Sequence, residues 1–168
     1  MSFEIERKFL VRNSDWRELA IEHSNIRQAY LSADGKSSIR VRIRDNRSAT
    51  LSVKSRPSSL RRLELEYPIP VLEAEALMQL RQSGIVEKVR YIVPAGTLKW
   101  EIDVFLGDNL GLLIAEIELP EENHPIEVPA WVGAEVTGQA QYYNGSLAQC
   151  PFSLWSPRDT AVATERLA

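Results

Sequence analysis

The stretch Phe3-Glu4-Ile5-Glu6-Arg7-Lys8-Phe9-Leu10 alternates charged residues with apolar ones. In an extended chain successive side chains point to opposite faces, so Glu4, Glu6 and Lys8 share one face while Phe3, Ile5 and Phe9 take the other. A single strand of this kind is unremarkable. The layout returns, however, at Arg40/Arg42/Arg44, Glu64/Glu66, Lys88/Arg90, Glu101/Asp103 and Glu116/Glu118. An ordinary solvated face of an antiparallel sheet mixes in Thr, Ser, Gln and Asn. Here Glu, Asp, Arg and Lys dominate, so these faces are selected for charge.

Outward from that first stretch, alternating segments at about 2–11, 37–44, 49–54, 61–67, 86–93, 98–105 and 112–119 predict strands. Asn13-Ser14-Asp15 is placed to cap a helix running to about His23, with Trp16, Leu19 and Ala20 on its apolar side. A second helix is expected from Val71 to Ser83, with Leu72, Ala76, Leu77 and Leu80 at helical spacing and Gly84 as its stop. Segments near Pro129–Ala134 and Gly138–Gln149 predict a third, shorter helical element. Asp34-Gly35 and Asp45-Asn46 mark turns between neighbouring strands, which favours hairpins over crossovers. The expected class is therefore α+β with an antiparallel sheet. The chain reads as a single domain over residues 1–155, followed by a C-terminal tail of low order over 156–168.

At 168 residues such a domain buries about two-thirds of the surface its unfolded chain exposes. Cys150 is the only cysteine, which excludes an internal disulfide framework or cysteine-rich zinc site and fits a reducing compartment. No apolar signal core opens the sequence, and no apolar run approaches the roughly 20 residues that span a bilayer. A cytoplasmic location with no membrane partner is expected. A net charge of -3 gives no long-range attraction to nucleic acid, and no basic stripe is interleaved with stacking aromatics, so no nucleic-acid partner is expected.

A sheet with this much charge on one face can curl so that the face lines a hydrated tunnel and the apolar face lies outward beneath the helices. A dry interior could not hold it, because each unpaired buried charge costs several kcal/mol. The basic set is Lys8, Arg40, Arg42, Arg44, Lys54, Arg62, Lys88 and Arg90, and guanidinium forks match phosphate oxygens. The acidic set is Glu4, Glu6, Glu64, Glu66, Glu101, Asp103, Glu116 and Glu118. Carboxylates repel phosphate unless a hard cation lies between, and all-oxygen ligation suits Mg2+ or Mn2+. Together the two sets predict a site for a metal-bound polyphosphate.

Glu4-x-Glu6-x-Lys8 at the N-terminus resembles the signature of the CYTH superfamily, the triphosphate tunnel metalloenzymes. Arg40-x-Arg42, Lys54, Glu64-x-Glu66, Lys88-x-Arg90, Asp103 and Glu116-x-Glu118 follow in that family's order, so the resemblance covers about residues 2–150. It implies an eight-stranded antiparallel tunnel, closed as a barrel with a charged interior and flanked by a few helices. It further implies a metal-dependent phosphohydrolase converting inorganic triphosphate to pyrophosphate and phosphate. On that resemblance Arg40, Arg42, Lys54, Lys88 and Arg90 hold the substrate. Glu4, Glu6, Asp103, Glu116 and Glu118 hold Mg2+ or Mn2+. Glu64, Glu66, Arg44 and Arg62 are additional candidates. Lys8 and the tyrosine of Gln28-Ala29-Tyr30 are associated with positioning or deprotonating the attacking water. Where related chains carry an Asp-Pro-Arg-Tyr-Ser-Asn-like stretch, this one reads Gln139-Ala140-Gln141-Tyr142-Tyr143-Asn144 and lacks the charged pair.

Alternatives within the same fold are a class IV adenylate cyclase or a hydrolase of thiamine or nucleoside triphosphate; outside catalysis, the alternative is a polyphosphate-binding module. His23, His124 and Cys150 have no companions at ligand or nucleophile spacing, and Trp16, Trp100, Trp131 and Trp155 read as packing anchors. No Walker loop or Gly-x-Gly-x-x-Gly fingerprint is present. An outward apolar barrel face with few helices to cover it predicts a homodimer.

Overall fold

The alternation that opens the chain becomes β1 (Ser2–Val11) of a computed structural model, which describes residues 2–33, 37–55 and 61–165, without the side chains at 2, 3, 33, 61 and 62. After it come α1 (Trp16–Leu19), β2 (Glu22–Ala33), β3 (Ser37–Arg44), β4 (Ser48–Ser55), β5 (Arg61–Ile69) and α2 (Val71–Met78). The second half carries β6 (Val86–Ala95), β7 (Leu98–Phe105), β8 (Leu113–Glu118), β9 (Val132–Glu135), α3 (Asn144–Gln149) and α4 (Pro157–Thr164). The expected Asp34-Gly35 turn and the Arg62 side chain lie outside the described residues, as do positions 166–168.

The strands run β5-β4-β3-β2-β6-β7-β8-β1, each antiparallel to its neighbour, and β1 pairs again with β5 through Ser2 opposite Glu64 and Ile5 opposite Arg61. That second pairing closes eight strands into a ring, which removes the open edges a sheet would otherwise expose. β9 lies beyond the ring, along the end of β1, and makes the sheet nine-stranded among the described residues. Gly133 permits this approach, since a Cβ there would sit 3.1 Å from the Leu10 carbonyl oxygen. The Asp45-Asn46 turn is present as expected: both residues have positive φ, 51° and 54°, and the Arg47 N–H closes onto the Arg44 carbonyl at 3.0 Å.

Three apolar clusters hold the ring. Outside it, Trp16 of α1 packs with Phe9, Trp100, Ile117 and Trp131. On another flank, Ala74 and Met78 of α2 sit on Ala29, Val41, Ile43 and Ala49. The third fills one end of the barrel: Leu10, Val86, Phe105 and Ile114 meet Tyr142, Leu147, Phe152 and Ala163 from the C-terminal segments. This apolar floor defines which end of the tunnel is blocked.

Several expectations are corrected. The helix expected to reach His23 stops at Leu19, because the Ile21 N–H already bonds the Ile92 carbonyl at 2.9 Å and the chain continues as β2. α2 ends at Met78 and buries Ala74 and Met78 rather than Leu72 and Leu80, which are 83% and 67% exposed. Its small Ala74 lets the helix approach the sheet closely. Residues 132–135 form a strand instead of a helix. The segment expected as a low-order tail holds α4, capped where the Ser156 side chain accepts from the Asp159 N–H at 3.2 Å, and anchored by buried Ala163. The outer face that prompted the homodimer expectation is covered in part by α1, α2 and the segment carrying Trp131. No helix among the described residues is long and apolar enough to cross a membrane.

Candidate active site

Inside the ring lies a cavity of about 1030 Å³. Its wall takes Glu4, Glu6 and Lys8 from β1, Tyr30 from β2, Arg40, Arg42 and Arg44 from β3, and Lys54 from β4. Glu64 and Glu66 of β5, Arg90 of β6, Glu101 of β7, and Glu116 and Glu118 of β8 complete the charged wall. Registration places them in facing rows: Lys8 lies opposite Glu116, Glu6 opposite Glu118, and Glu101 opposite Glu116. Residues 143–146 and Gln149 add wall beside Tyr30. Toward the open end, the apolar residues Ile21, Ile92, Pro94, Leu98, Leu119 and Pro120 share the rim with Glu22, Thr97 and Lys99.

Carboxylates hold most of the cations. Lys8 pairs with Glu116 and, at 3.2 Å, with Glu6. Burial alone would lower its pKa, but Glu116 and Glu6 outweigh that and raise it. Lys54 meets Glu4 at 2.6 Å and Glu64 at 3.3 Å. Arg40 reaches Glu64 at 3.4 Å and donates to Ser52 at 3.1 Å. Arg90 forks onto Asp103 at 2.6 and 2.7 Å, pairs with Glu101 and donates to Glu116 at 2.9 Å. Burial opposes the charge on Glu116, yet Lys8 and Arg90 hold its carboxyl well below the usual range.

Two departures from this balance matter chemically. Arg42 has no carboxylate within ion-pair distance among the described residues; its Nε donates to Gln28 Oε1 at 3.0 Å instead. Burial, with Arg40 and Arg90 nearby, pushes its pKa down to about 9. It sits near the floor, because Arg42 lies opposite Gln28 and Gln28 opposite Val86. Nearer the mouth, Glu118 forms no ion pair among the described residues, and burial with Glu4, Glu101, Glu6 and Glu64 raises its pKa. The tunnel thus carries Arg42 uncompensated deep inside, Arg44 held by Ser24 at 3.2 Å with no ion pair among the described residues, and surplus carboxylate toward its opening. No three carboxylates among the described residues converge at metal-binding distance. The donor chemistry, oxygen alone with no His or Cys in the wall, nevertheless fits a hard divalent cation around Glu4, Glu6 and Glu118.

Lys88 and Asp103 do not line the cavity. Both side chains are 0% exposed, and they pair at 2.5 Å behind Arg90. Burial first, then Arg90 and Arg42, push the Lys88 amine down to about 7 against the pull of Asp103. Burial likewise opposes the Asp103 charge, but Arg90 and Lys88 lower its pKa. The pair braces Arg90 rather than facing a ligand. Lys88 Nζ also donates to Asn144 Oδ1 at 3.0 Å, tying the start of α3 to the brace. Sequence reasoning gave no role to wholly buried Gln28 and Ser52, to Ser24, which accepts from Arg44 at 3.2 Å, or to Asn144 as a contact of the site. Uncharged inward residues leave no charge pattern to find; only the neighbourhood of Gln28 in Gln28-Ala29-Tyr30 pointed to it.

The model of the CYTH domain matches residues 2–149. The chain belongs to the CYTH domain family. This CYTH protein is 42% identical over 153 residues to the inorganic triphosphatase of Acetivibrio thermocellus, covering 90% of this chain and 97% of that one. The crystal structure of the inorganic triphosphatase NE1496 superposes with a TM-score of 0.65 at 30% identity, over 94% of this chain and 98% of its own. PH1012 from Pyrococcus Horikoshii OT3, at 20% identity and a TM-score of 0.59 over 71% and 80%, shares the fold. Membership in this family of metalloenzymes implies a divalent metal ion.

Proposed function

We propose that this CYTH protein is a metal-dependent triphosphatase that hydrolyses inorganic triphosphate to pyrophosphate and phosphate. The observation that carries the reading is the separation of unmatched charges in one cavity, Arg42 and Arg44 without a carboxylate partner among the described residues and Glu118 toward the mouth. A polyanion fits the arginines and a divalent cation fits Glu118, a combination that a metal-bound triphosphate supplies, and the Acetivibrio relative is named an inorganic triphosphatase.

Arg40, Lys54 and Arg90 would grip the phosphate chain, replacing contacts they now make with Glu64, Glu4 and Glu116, while Arg42 would offer its terminal nitrogens and keep its Nε on Gln28. Glu4, Glu6 and Glu118 are the proposed metal holders, with Glu116, released by Arg90 but still paired with Lys8, beside them, while Asp103 lies outside the cavity lining. The bound ion, Mg2+ or Mn2+, would shield phosphate oxygens from these carboxylates and lower the charge developing in the transition state. Lys8 and Tyr30 border the same space, and Lys8 would orient the attacking water. Water adds to the terminal phosphorus in line with the bridging oxygen, that P–O bond breaks, and pyrophosphate leaves while the water gives up its proton. Little covalent work falls to the protein, so positioning and charge stabilisation account for the rate.

A second reading, hydrolysis of an organic triphosphate, is favoured by the apolar rim residues Ile21, Ile92, Pro94, Leu98, Leu119 and Pro120, where an uncharged group could rest outside the charged wall. Phosphate release from inorganic triphosphate, ATP and thiamine triphosphate, each with Mg2+, Mn2+ or chelator, separates the readings. Fastest metal-dependent release from inorganic triphosphate supports the first; a thousandfold preference for an organic substrate, about 4 kcal/mol, would overturn it.

A further inference from the structure

We propose that Gln28 is a positioning residue that fixes the Tyr30 hydroxyl with its proton presented to the bound triphosphate. This rests on the triphosphatase reading above. Gln28 is wholly buried on β2 between Arg42 and Tyr30. A guanidinium only donates, so the amide atom facing Arg42 Nε at 3.0 Å must be the oxygen. That contact settles the orientation of the amide on chemical grounds, without appeal to oxygen and nitrogen density. The amide nitrogen therefore faces the other way and donates to the Tyr30 hydroxyl oxygen at 3.4 Å.

With an N–H directed at its oxygen, the phenol cannot also point its own proton at Gln28. The proton turns to the other side, where Tyr30 borders the cavity. Phosphate oxygens only accept, so a donor whose direction is already fixed stabilises their growing negative charge without reorganising during reaction. Arg42 thereby acts twice: it offers its guanidinium to the substrate, and through Gln28 it sets the polarity of Tyr30. The same logic explains why Arg42 lacks a carboxylate partner among the described residues. A carboxylate in the place of Gln28 would accept from both neighbours and draw the Tyr30 proton out of the tunnel.

Gln28→Glu makes that reversal with almost no change of shape, and steady-state hydrolysis of inorganic triphosphate by parent, Q28E, Y30F and Q28E/Y30F reads it. Gln28→Met, alone and with Y30F, removes the polarity without imposing the opposite one. The expected kcat order is parent, then Q28M, then Q28E, with Q28E and Y30F each about a hundredfold below parent. Q28E/Y30F should be no slower than Y30F, because the substitution acts through the hydroxyl. The added charge raises KM in both backgrounds alike, so orientation is read in kcat. A merely structural Gln28 gives the opposite order, since Q28E keeps the Arg42 contact and Q28M loses it. Parental kcat in Q28E, or the same fall in kcat with and without the Tyr30 hydroxyl, overturns the proposal alone. If Q28E does not fold, an equal loss from Q28M in both backgrounds does so. A parent that releases no phosphate overturns the triphosphatase reading and this proposal with it.

Discussion

Asp103→Asn tests the division between cavity wall and hidden brace. Asp103 accepts two hydrogen bonds from Arg90, at 2.6 and 2.7 Å, and one from Lys88 at 2.5 Å, with no solvent access. An amide keeps one acceptor and turns its NH2 toward a cation. Removing one partner of a buried ion pair costs about 3–5 kcal/mol. The lower end applies here, because Arg90 retains Glu101 and Glu116, and Lys88, already near 7, can give up its proton. About 3 kcal/mol corresponds to a fall in Tm on the order of 6–12 °C for a chain of this size. Urea unfolding followed by tryptophan fluorescence measures it. Lys88→Met should rescue part of the loss, leaving a coupling of roughly 1 kcal/mol or more between the two sites.

The pH dependence has a definite sign. Lys88 has a depressed pKa in the folded state, so its contribution is complete above the unfolded value of about 10.4 and is lost as pH falls through about 7. Parent stability relative to K88M therefore rises between those limits. Asp103 is also depressed, so its contribution is present above about 3.9 and fades in acid, where D103N should approach the parent. Triphosphate affinity of K88M should stay near that of the parent. The reasoning fails if D103N costs less than about 1 kcal/mol, or if K88M loses tenfold or more in affinity, about 1.4 kcal/mol, at unchanged stability.

Arg42→Ala breaks no ion pair but strands the oxygen of wholly buried Gln28, so it should cost no more than about 1–3 kcal/mol of stability without ligand, less the relief of removing a buried cation. Its triphosphate affinity by calorimetry should fall about ten- to hundredfold, the worth of one or two charge-assisted hydrogen bonds; unchanged affinity would place the anion elsewhere. Glu118→Gln should raise Tm in chelator at neutral pH. A carboxyl raised by burial and by Glu4, Glu101, Glu6 and Glu64 contributes stability below its unfolded pKa and loses it as pH rises through its folded one. Added Mn2+ should stabilise the parent more than E118Q, and equal shifts would remove Glu118 from the metal site.

The ring was legible wherever inward positions were charged. β1, β3, β4, β6, β7 and β8 follow the Glu, Arg and Lys rows closely, because a period of two needs no knowledge of the partner strand. β2 escaped for the same reason: after Glu22 its inward residues Ser24, Ile26, Gln28 and Tyr30 carry no charge, and its start was absorbed into an expected helix. β9 is four residues long, and tertiary pairing with β1 outweighs local preference there. α4 is short and polar, and its signal was the Ser156-Pro157 cap rather than periodicity. Lys88 and Asp103 share the face of Arg90, but face alone does not tell depth. The floor that places them below the cavity is supplied by Tyr142, Leu147 and Phe152, far along the chain.

The pairing of Lys8, Arg40, Lys54 and Arg90 with carboxylates also fixes how a ligand enters. These residues behave like a mixed-bed ion-exchange resin whose fixed charges serve as each other's counter-ions until a solute displaces them. An anion arriving alone would strand the glutamates it displaces, and a cation arriving alone would strand the lysines and arginines. Loading is therefore favoured with triphosphate and its metal together, each component releasing the groups that receive the other. Affinity then follows the activity of the metal–triphosphate complex rather than of either free ion.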